Sequence, residues 1–247
     1  GVVPDPTVSY TTDEATGSLA YTPVSDAFGT ATITVSVEDG GLDLDLGTAA
    51  DNATFLRTFV VTVDPVNDPP TLATIFDLPI FEGSPEQTVS LSGIAAGGGE
   101  TQPLRVTAAS DTTGLIPHPT VTYTSDQSSG SLAFTPVDNV SGTATVTVTV
   151  EDGGLDLDLD TAGDNATFSR TFVVTVDAVN DPPTLDAIAD MMIFEDAAEQ
   201  TVSLSGIDAG PGESQPLRVT AVSDTAGLIP DPTVTYTSDE STGSLAY

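Results

Sequence analysis

GTATVTVTVEDGGLDLDLDTAGDNATFSRTFVVTVDAVNDPP, residues 142–183, opens with strict alternation. Ala144, Val146, Val148 and Val150 fall on one side of an extended chain, and Thr143, Thr145, Thr147 and Thr149 on the other. Period two is the signature of a half-buried strand, and β-branched residues suit its pleated surface. A second strand follows, in which Phe168, Phe172, Val174 and Val176 share a face. Between them stands LDLDLD, which as an extended strand would put Asp156, Asp158 and Asp160 on one side and Leu155, Leu157 and Leu159 opposite. Like charges in a row repel, so the row either sits in open water or meets a cation. In the first case the segment is a solvated acidic hairpin with its leucines packed down.

The passage is part of a repeat. PDPTVSYTTDEATGSLAYTP at 4 returns as PHPTVTYTSDQSSGSLAFTP at 117 and as PDPTVTYTSDESTGSLAY at 230, and NDPPTL at 67 returns at 180. Every match is displaced by 113 residues without a gap, and residues 1–134 and 114–247 agree at roughly three quarters of positions. A period this long has the size of a small domain rather than of a solenoid turn. VNDPP, with two prolines that stiffen the backbone, serves as the boundary. This division gives the C-terminal half of one domain (1–68), a complete domain (69–181) and the N-terminal half of a third (182–247). The chain then reads as a window on a longer array, or as a unit whose half-domains are completed by neighbouring chains.

Within 69–181, alternation and turn residues predict strands at 74–81, 86–92, 103–109, 119–125, 130–136, 142–151 and 166–177, and no helix. Seven short strands in 113 residues predict an all-β fold of tandem antiparallel sandwiches of immunoglobulin-like type. With no cysteine and no tryptophan, the core must come from Val, Leu, Ile and Phe.

Composition narrows the partners. There are 37 acidic residues against four basic ones, for a formal net charge of −33. That field repels nucleic acid and anionic membrane surfaces and attracts cations. No apolar run is long enough to span a bilayer.

The succession IFE, TVSLSGI, GSLAFTPV, GTATVTVTVEDGG and TFVVTVDAVNDPP resembles the bacterial cadherin-like tandem repeats of large surface adhesins and related exported proteins. The resemblance covers the whole unit. It implies an extracellular or cell-surface rod of cadherin-like sandwiches, stiffened by calcium at the junctions. Its partners would be neighbouring repeats, further copies in a fibre, and a cell surface or matrix. The linker departs from the Asx-rich cadherin pattern, keeping only Asn67-Asp68 and Asn180-Asp181 before the prolines.

Calcium takes six to eight oxygen ligands. Sandwich topology gathers Asp26 and Asp64 from the preceding half, then Glu100, Glu151 and Asp152, around Asn67 and Asp68; Glu38 and Asp39 are the earlier copies of Glu151 and Asp152. Around Asn180 and Asp181 it gathers Glu82, Asp138, Asn139 and Asp177, then Asp208 and Glu213. In the acidic loop, Asp156 and Asp158, with Asp43 and Asp45, are stronger candidates than Asp160, which is Gly47 in the earlier copy. The loop fits neither an EF-hand nor a glycine-rich nonapeptide. Asn and Asp also favour turns without any metal.

Asn52, Asn139 and Asn165 head N-glycosylation sequons. Catalysis is not expected. The single histidine, His118, stands where the other copies have Asp5 and Asp231, and reads as an exposed loop residue. Arg57, Arg105, Arg170 and Arg218 are expected to pair with carboxylates. The expected function is a structural module of a calcium-stiffened extracellular stalk or fibre. The alternatives are a carbohydrate- or surface-binding module and a fibre polymerised by half-domain complementation.

Overall fold

Seven strands lie between residues 69 and 181 in a computed structural model, which describes all of the chain except residues 13, 49 and 162. Before them come β1 (Thr7–Ser9), β2 (Ser18–Ala20), β3 (Gly29–Glu38) and β4 (Thr54–Val63). The seven are β5 (Leu78–Phe81), β6 (Gln87–Ser92), β7 (Leu104–Ser110), β8 (Thr120–Thr122), β9 (Ser129–Phe134), β10 (Gly142–Asp152) and β11 (Thr167–Asp177). Last come β12 (Thr201–Leu204), β13 (Thr233–Thr235) and β14 (Gly243–Ala246). The described residues include no helix, hence none long and apolar enough to cross a membrane.

One sheet has the order β5-β11-β10-β7 and the other β6-β9-β8, giving a sandwich of four strands against three. All pairings are antiparallel except β5 with β11. That exception follows from counting: strands that alternate in direction leave the first and seventh pointing the same way, so side by side they must be parallel. The expected strand over 74–81 is shorter, because the Asp77 carboxylate accepts the Val173 N–H at 2.8 Å and takes the ladder's place there. Alternation on β10 reads out directly. Val146, Val148 and Val150 are wholly buried and Ala144 nearly so, on the same inward face of the sheet as Phe172, Val174 and Val176 of the neighbouring β11. The buried cluster runs from Leu72 to Val176 and draws on both sheets.

The flanking segments repeat parts of this plan. β3 and β4 pair from Gly29↔Val63 to Glu38↔Thr54, the register of Gly142↔Val176 to Glu151↔Thr167 moved by one repeat. They form a two-stranded sheet by themselves. β12-β14-β13 repeats β6-β9-β8.

His118 is exposed, and its Nδ1 accepts the Ser110 N–H at 3.0 Å. In the next copy the Asp231 carboxylate accepts the Ser223 N–H at 2.8 Å. Either side chain accepts the backbone N–H at the same repeat position, the end of β7 in the central copy, which is why a histidine stands in for an aspartate. The arginines divide. Arg105 pairs with Glu151 at 2.7 Å and more loosely with Asp160 at 3.6 Å. Arg57 and Arg170 instead lie over the rings of Phe55 and Phe168, at 4.7 and 4.9 Å. Cation–π stacking replaces the expected ion pair there because each ring lies two residues away on the same strand face.

Phe172→Ala should destabilise the sandwich by about 3–5 kcal/mol. Thr171→Ala, on the exposed side of the same strand, should cost no more than about 0.5 kcal/mol. Equilibrium urea unfolding of the two variants checks the assignment of faces.

Candidate cation site at the segment junctions

The linker is caught by side chains from two loops of the segment that follows it. At the first junction the Asp68 N–H donates to Glu100 Oε2 at 3.3 Å, and Gln102 Nε2 donates both to Glu100 Oε2, at 2.9 Å, and to Asn67 Oδ1. Asn67 Nδ2 in turn reaches Asp152 Oδ1 at 3.2 Å and the Asp164 carbonyl at 3.0 Å. The second junction reuses the pattern. The Asp181 N–H donates to Glu213 at 2.6 Å, and Gln215 bridges Glu213 at 2.7 Å and Asn180 Oδ1 at 2.8 Å. From the preceding side, Glu82 accepts the Val179 N–H at 2.6 Å. Gln102 and Gln215 were not among the sequence candidates. The available signal was a polar residue recurring just before an apolar strand.

Close approach at the junction demands glycine. Gly97 has φ of +106°, and a Cβ there would stand 2.5 Å from the Pro69 carbonyl oxygen. Gly210 repeats this conformation, with φ of +127°, against the Asp181 side chain.

Among the described residues, Asp152 is the buried carboxylate. Its side chain is wholly buried, and Oδ1 accepts from Gly154 N at 3.0 Å, Ala166 N at 2.8 Å and the Asn67 amide. Its Oδ2 is buried without any donor, as is Gln102 Oε1, and Gln102 is itself only 4% exposed. Burying unpaired polar oxygens is costly, so these two atoms are a call for a partner. Nearby, burial pushes the Glu100 carboxyl above its ordinary range, and the charges of Asp68, Asp152 and Asp26 add to the shift, against the lowering effect of the Asp68 N–H. Asp26, Asp64, Asp68 and Glu100 also line a cavity of about 210 Å³ between the two segments.

The other candidates are placed as follows. Glu151 turns away to Arg105, because alternation on β10 sends it to the face opposite Asp152. Glu38 accepts the Asn52 amide at 3.1 Å, and Asp39 accepts Gly41 N and Ala53 N as Asp152 does its own turn. Asp208 accepts Gly210 N at 2.9 Å. Asp138 and Asp177 are exposed, and the Asp177 carbonyl accepts Glu82 N. The sequon asparagines Asn52 and Asn165 direct their amide nitrogens to the Leu46 and Leu159 carbonyls, whereas Asn139 is exposed with φ of +58°.

The acidic loop corrects an expectation. Residues 155–160 lie in the β10–β11 connection, as expected, but Leu157 has φ of +61°, and Leu155 and Leu157 are exposed rather than packed down. The alternate aspartates are consecutive Asx turns. Asp156 Oδ1 accepts Asp158 N and Asp158 Oδ1 accepts Asp160 N, each at 3.0 Å. In the earlier copy Asp43 accepts Asp45 N, and Asp45 accepts Gly47 N. The acceptor is residue i and the donor residue i+2, so a chain of such turns needs Asp at every second position. The third needs only its N–H, which is why glycine serves at 47. The Asp160 N–H and the Thr161 hydroxyl hold the Asp158 carboxyl below its ordinary range.

Among the described residues, no three Asp, Glu or His side chains stand ready as a metal-ligand set. The chemistry present still fits a hard divalent cation: all-oxygen donors, two of them buried and unpaired, and no compensating base in hydrogen-bond contact. A cation would have to draw the junction carboxylates inward as it bound.

No protein-family model matches the chain, and no curated protein does. Among solved structures it is similar to domains 4 and 5 of the S-layer protein SbsC, at 18% identity over 64% of this chain and 62% of that one, with a TM-score of 0.32. It is also similar to the human desmocollin-1 ectodomain, at 15% identity over 98% of this chain and 43% of the other, with a TM-score of 0.32. Tandem Ig repeats of Dlar match at 11% identity over 72% and 81%, with a TM-score of 0.28. The chain spans less than two thirds of the SbsC fragment, and at these scores the likeness carries no argument about function.

Because the Glu100 pKa is raised on folding, its contribution to stability is complete below its unfolded pKa and is lost as pH rises through the folded one. With divalent cations chelated, Glu100→Gln should therefore raise the melting temperature at neutral pH and make no difference in acid. The half-exposed site limits the gain to about 1–4 °C. For Asp39, Asp111 and Asp158 the shift is downward, caused chiefly by backbone N–H donors, so their stabilisation is present at neutral pH and is lost as pH falls through their folded values. Calorimetry of both proteins across pH tests the pair of signs.

Proposed function

We propose that this chain is a stretch of an extracellular or cell-surface array of cadherin-like sandwiches, a structural module of a stalk or fibre whose junctions are stiffened by calcium. In this reading 1–68 is the C-terminal half of one repeat, 69–181 a whole repeat and 182–247 the N-terminal half of the next. The observation that carries the calcium reading is the buried Asp152 carboxylate, whose Oδ2 has no donor, beside a Glu100 surrounded by further carboxylates. Asp152, Glu100, Asp68, Asp26, Asp64 and the Gln102 carbonyl would hold the ion. At the other junction Asp181 and Glu213 take the places of Asp68 and Glu100, and Glu82 joins them from the preceding side.

Mechanically, carboxylates left without a cation push the two segments apart, with one hydrogen-bonded linker between them. At short range in a partly buried site that repulsion is poorly screened. A divalent ion turns it into attraction from both sides and fixes the angle. The linker prolines limit the remaining freedom.

Calcium at a hundredfold excess over its dissociation constant should stabilise the chain by about 2.7 kcal/mol. It should also narrow the distribution of small-angle scattering dimensions, and Asp152→Asn should abolish most of both effects. Melting and scattering that do not change between chelator and calcium would overturn the calcium reading and leave the stalk.

A further inference from the structure

At one end of the central sandwich a pocket of about 360 Å³ opens between the β6–β7 connection and the β8–β9 turn. We propose that it takes the guanidinium of an arginine side chain presented by a basic partner polypeptide.

The pocket has an apolar floor and walls that accept hydrogen bonds. Ile94, Ala96 and Leu104, all buried, line the floor, with Glu100, Gln102 and Asp126 around it. Gln102 is only 4% exposed. Its amide nitrogen is committed to Glu100 Oε2 and Asn67 Oδ1, and its Oε1 is buried without a donor. What Gln102 has left to offer the pocket is therefore an acceptor. Glu100 Oε2 also takes the Asp68 N–H, which leaves Oε1 for a ligand. Asp126 is exposed at the turn, with φ of +72°. Among the described residues no base lines the pocket. Acceptors without donors call for a ligand that donates, and the field of a chain with net charge −33 selects a positive one.

Shape narrows the choice of cation. A bare divalent ion needs oxygens on every side, and here one wall is aliphatic. A guanidinium is planar, weakly hydrated and carries its donors in a rigid fork. Its face can lie on the aliphatic floor while its edge reaches the Gln102 carbonyl and a carboxylate on either side. An ammonium is a compact, strongly hydrated point charge and gains less from such a floor.

The pocket recurs in the next copy. A cavity of about 270 Å³ is lined there by the corresponding Glu213, Gln215 and Asp239 over the same kind of floor. Where the copies differ, the second is the more acidic: Asp208 stands in the place of Ala95, and Glu240 in that of Gln127. The Tyr236 hydroxyl, buried without a partner, also lines it. Each copy has beside it the surroundings that the other lacks. The first pocket has the remainder of its own repeat, residues 135–181, and the second has the whole preceding repeat, residues 69–181. None of these neighbours lines either pocket, so its opening does not hang on chain beyond residues 1 and 247. Gln102 has a single carbonyl oxygen, which a junction cation and a guanidinium would contest, so chelator is present throughout the test.

The test is an NMR titration of the isotope-labelled full chain, at low salt, with a blocked tripeptide carrying arginine between two glycines. The expected result is a saturable shift of the Gln102 side-chain amide, of Glu100 and of residues 126–128, with the same at Gln215, Glu213 and 239–241. Added salt should weaken it. Citrulline in place of the peptide's arginine keeps the shape without the charge and should abolish the shifts, and lysine should weaken the binding several-fold. Asp126→Asn combined with Asp239→Asn keeps a residue suited to the left-handed turn. It should weaken the arginine peptide by about tenfold, the loss of one charge-assisted hydrogen bond at each pocket. Absent shifts would overturn the proposal, as would equal shifts with citrulline or lysine. So would shifts that spread over the acidic surface without saturating, or binding that the double substitution leaves unchanged.

Discussion

Asp152 Oδ1 receives three N–H groups: one from its own turn, one from the start of β11 and one from the linker amide of Asn67. A single carboxylate oxygen thereby closes the long β10–β11 loop and ties the sandwich to the segment before it. Much else depends on this. The buried β10 ends there, Gly153 and Gly154 are buried so that the chain can turn beneath it, and Asn67 is oriented so that Gln102 can grip its other side. A neutral side chain could cap the turn, but it would not leave a second, charged oxygen buried and unpaired at a boundary lined with acids.

Charge and topology act together at that boundary. The acids of loops far apart in sequence converge because alternate strand ends meet the linker, and β7 and β10 both contribute there. Arg105 is held on the outer face by Glu151 and Asp160, so it does not neutralise the cluster. The raised Glu100 pKa is the electrostatic trace of that arrangement. The stiffness proposed for the rod and the repulsion measurable without cations have one cause.

Elsewhere the acids have local work. The alternate aspartates of the loop hold one another's backbone, and the copies differ where only an N–H is required. His118 and Asp231 present an acceptor to the N–H at the same repeat position, Ser110 and Ser223. Repeats that diverge at a quarter of their positions keep the backbone hydrogen-bond scheme while exchanging the side chains that satisfy it.

The period of two on β10, the fixed displacement between copies and the proline linker were enough to determine an all-β sandwich with seven strands, and to bound five of them within two residues, whereas the strands expected at 74–81 and 119–125 shrink to Leu78–Phe81 and Thr120–Thr122. Those signals are local, because a pleated backbone and a rigid ring act on their immediate neighbours. The candidate site was legible only as a composition: the sequence grouped Glu151 with Asp152, passed over Gln102 and offered packed leucines beside the aspartate row where Leu155 and Leu157 are exposed. Tertiary structure decided these points. Which of two adjacent acids is buried depends on which face of β10 meets the core, and the exchange among Gln102, Asn67 and Asp152 spans residues far apart in the chain. An Asx turn and a strand both place residues at period two, and only the backbone path, with Leu157 at positive φ, tells them apart.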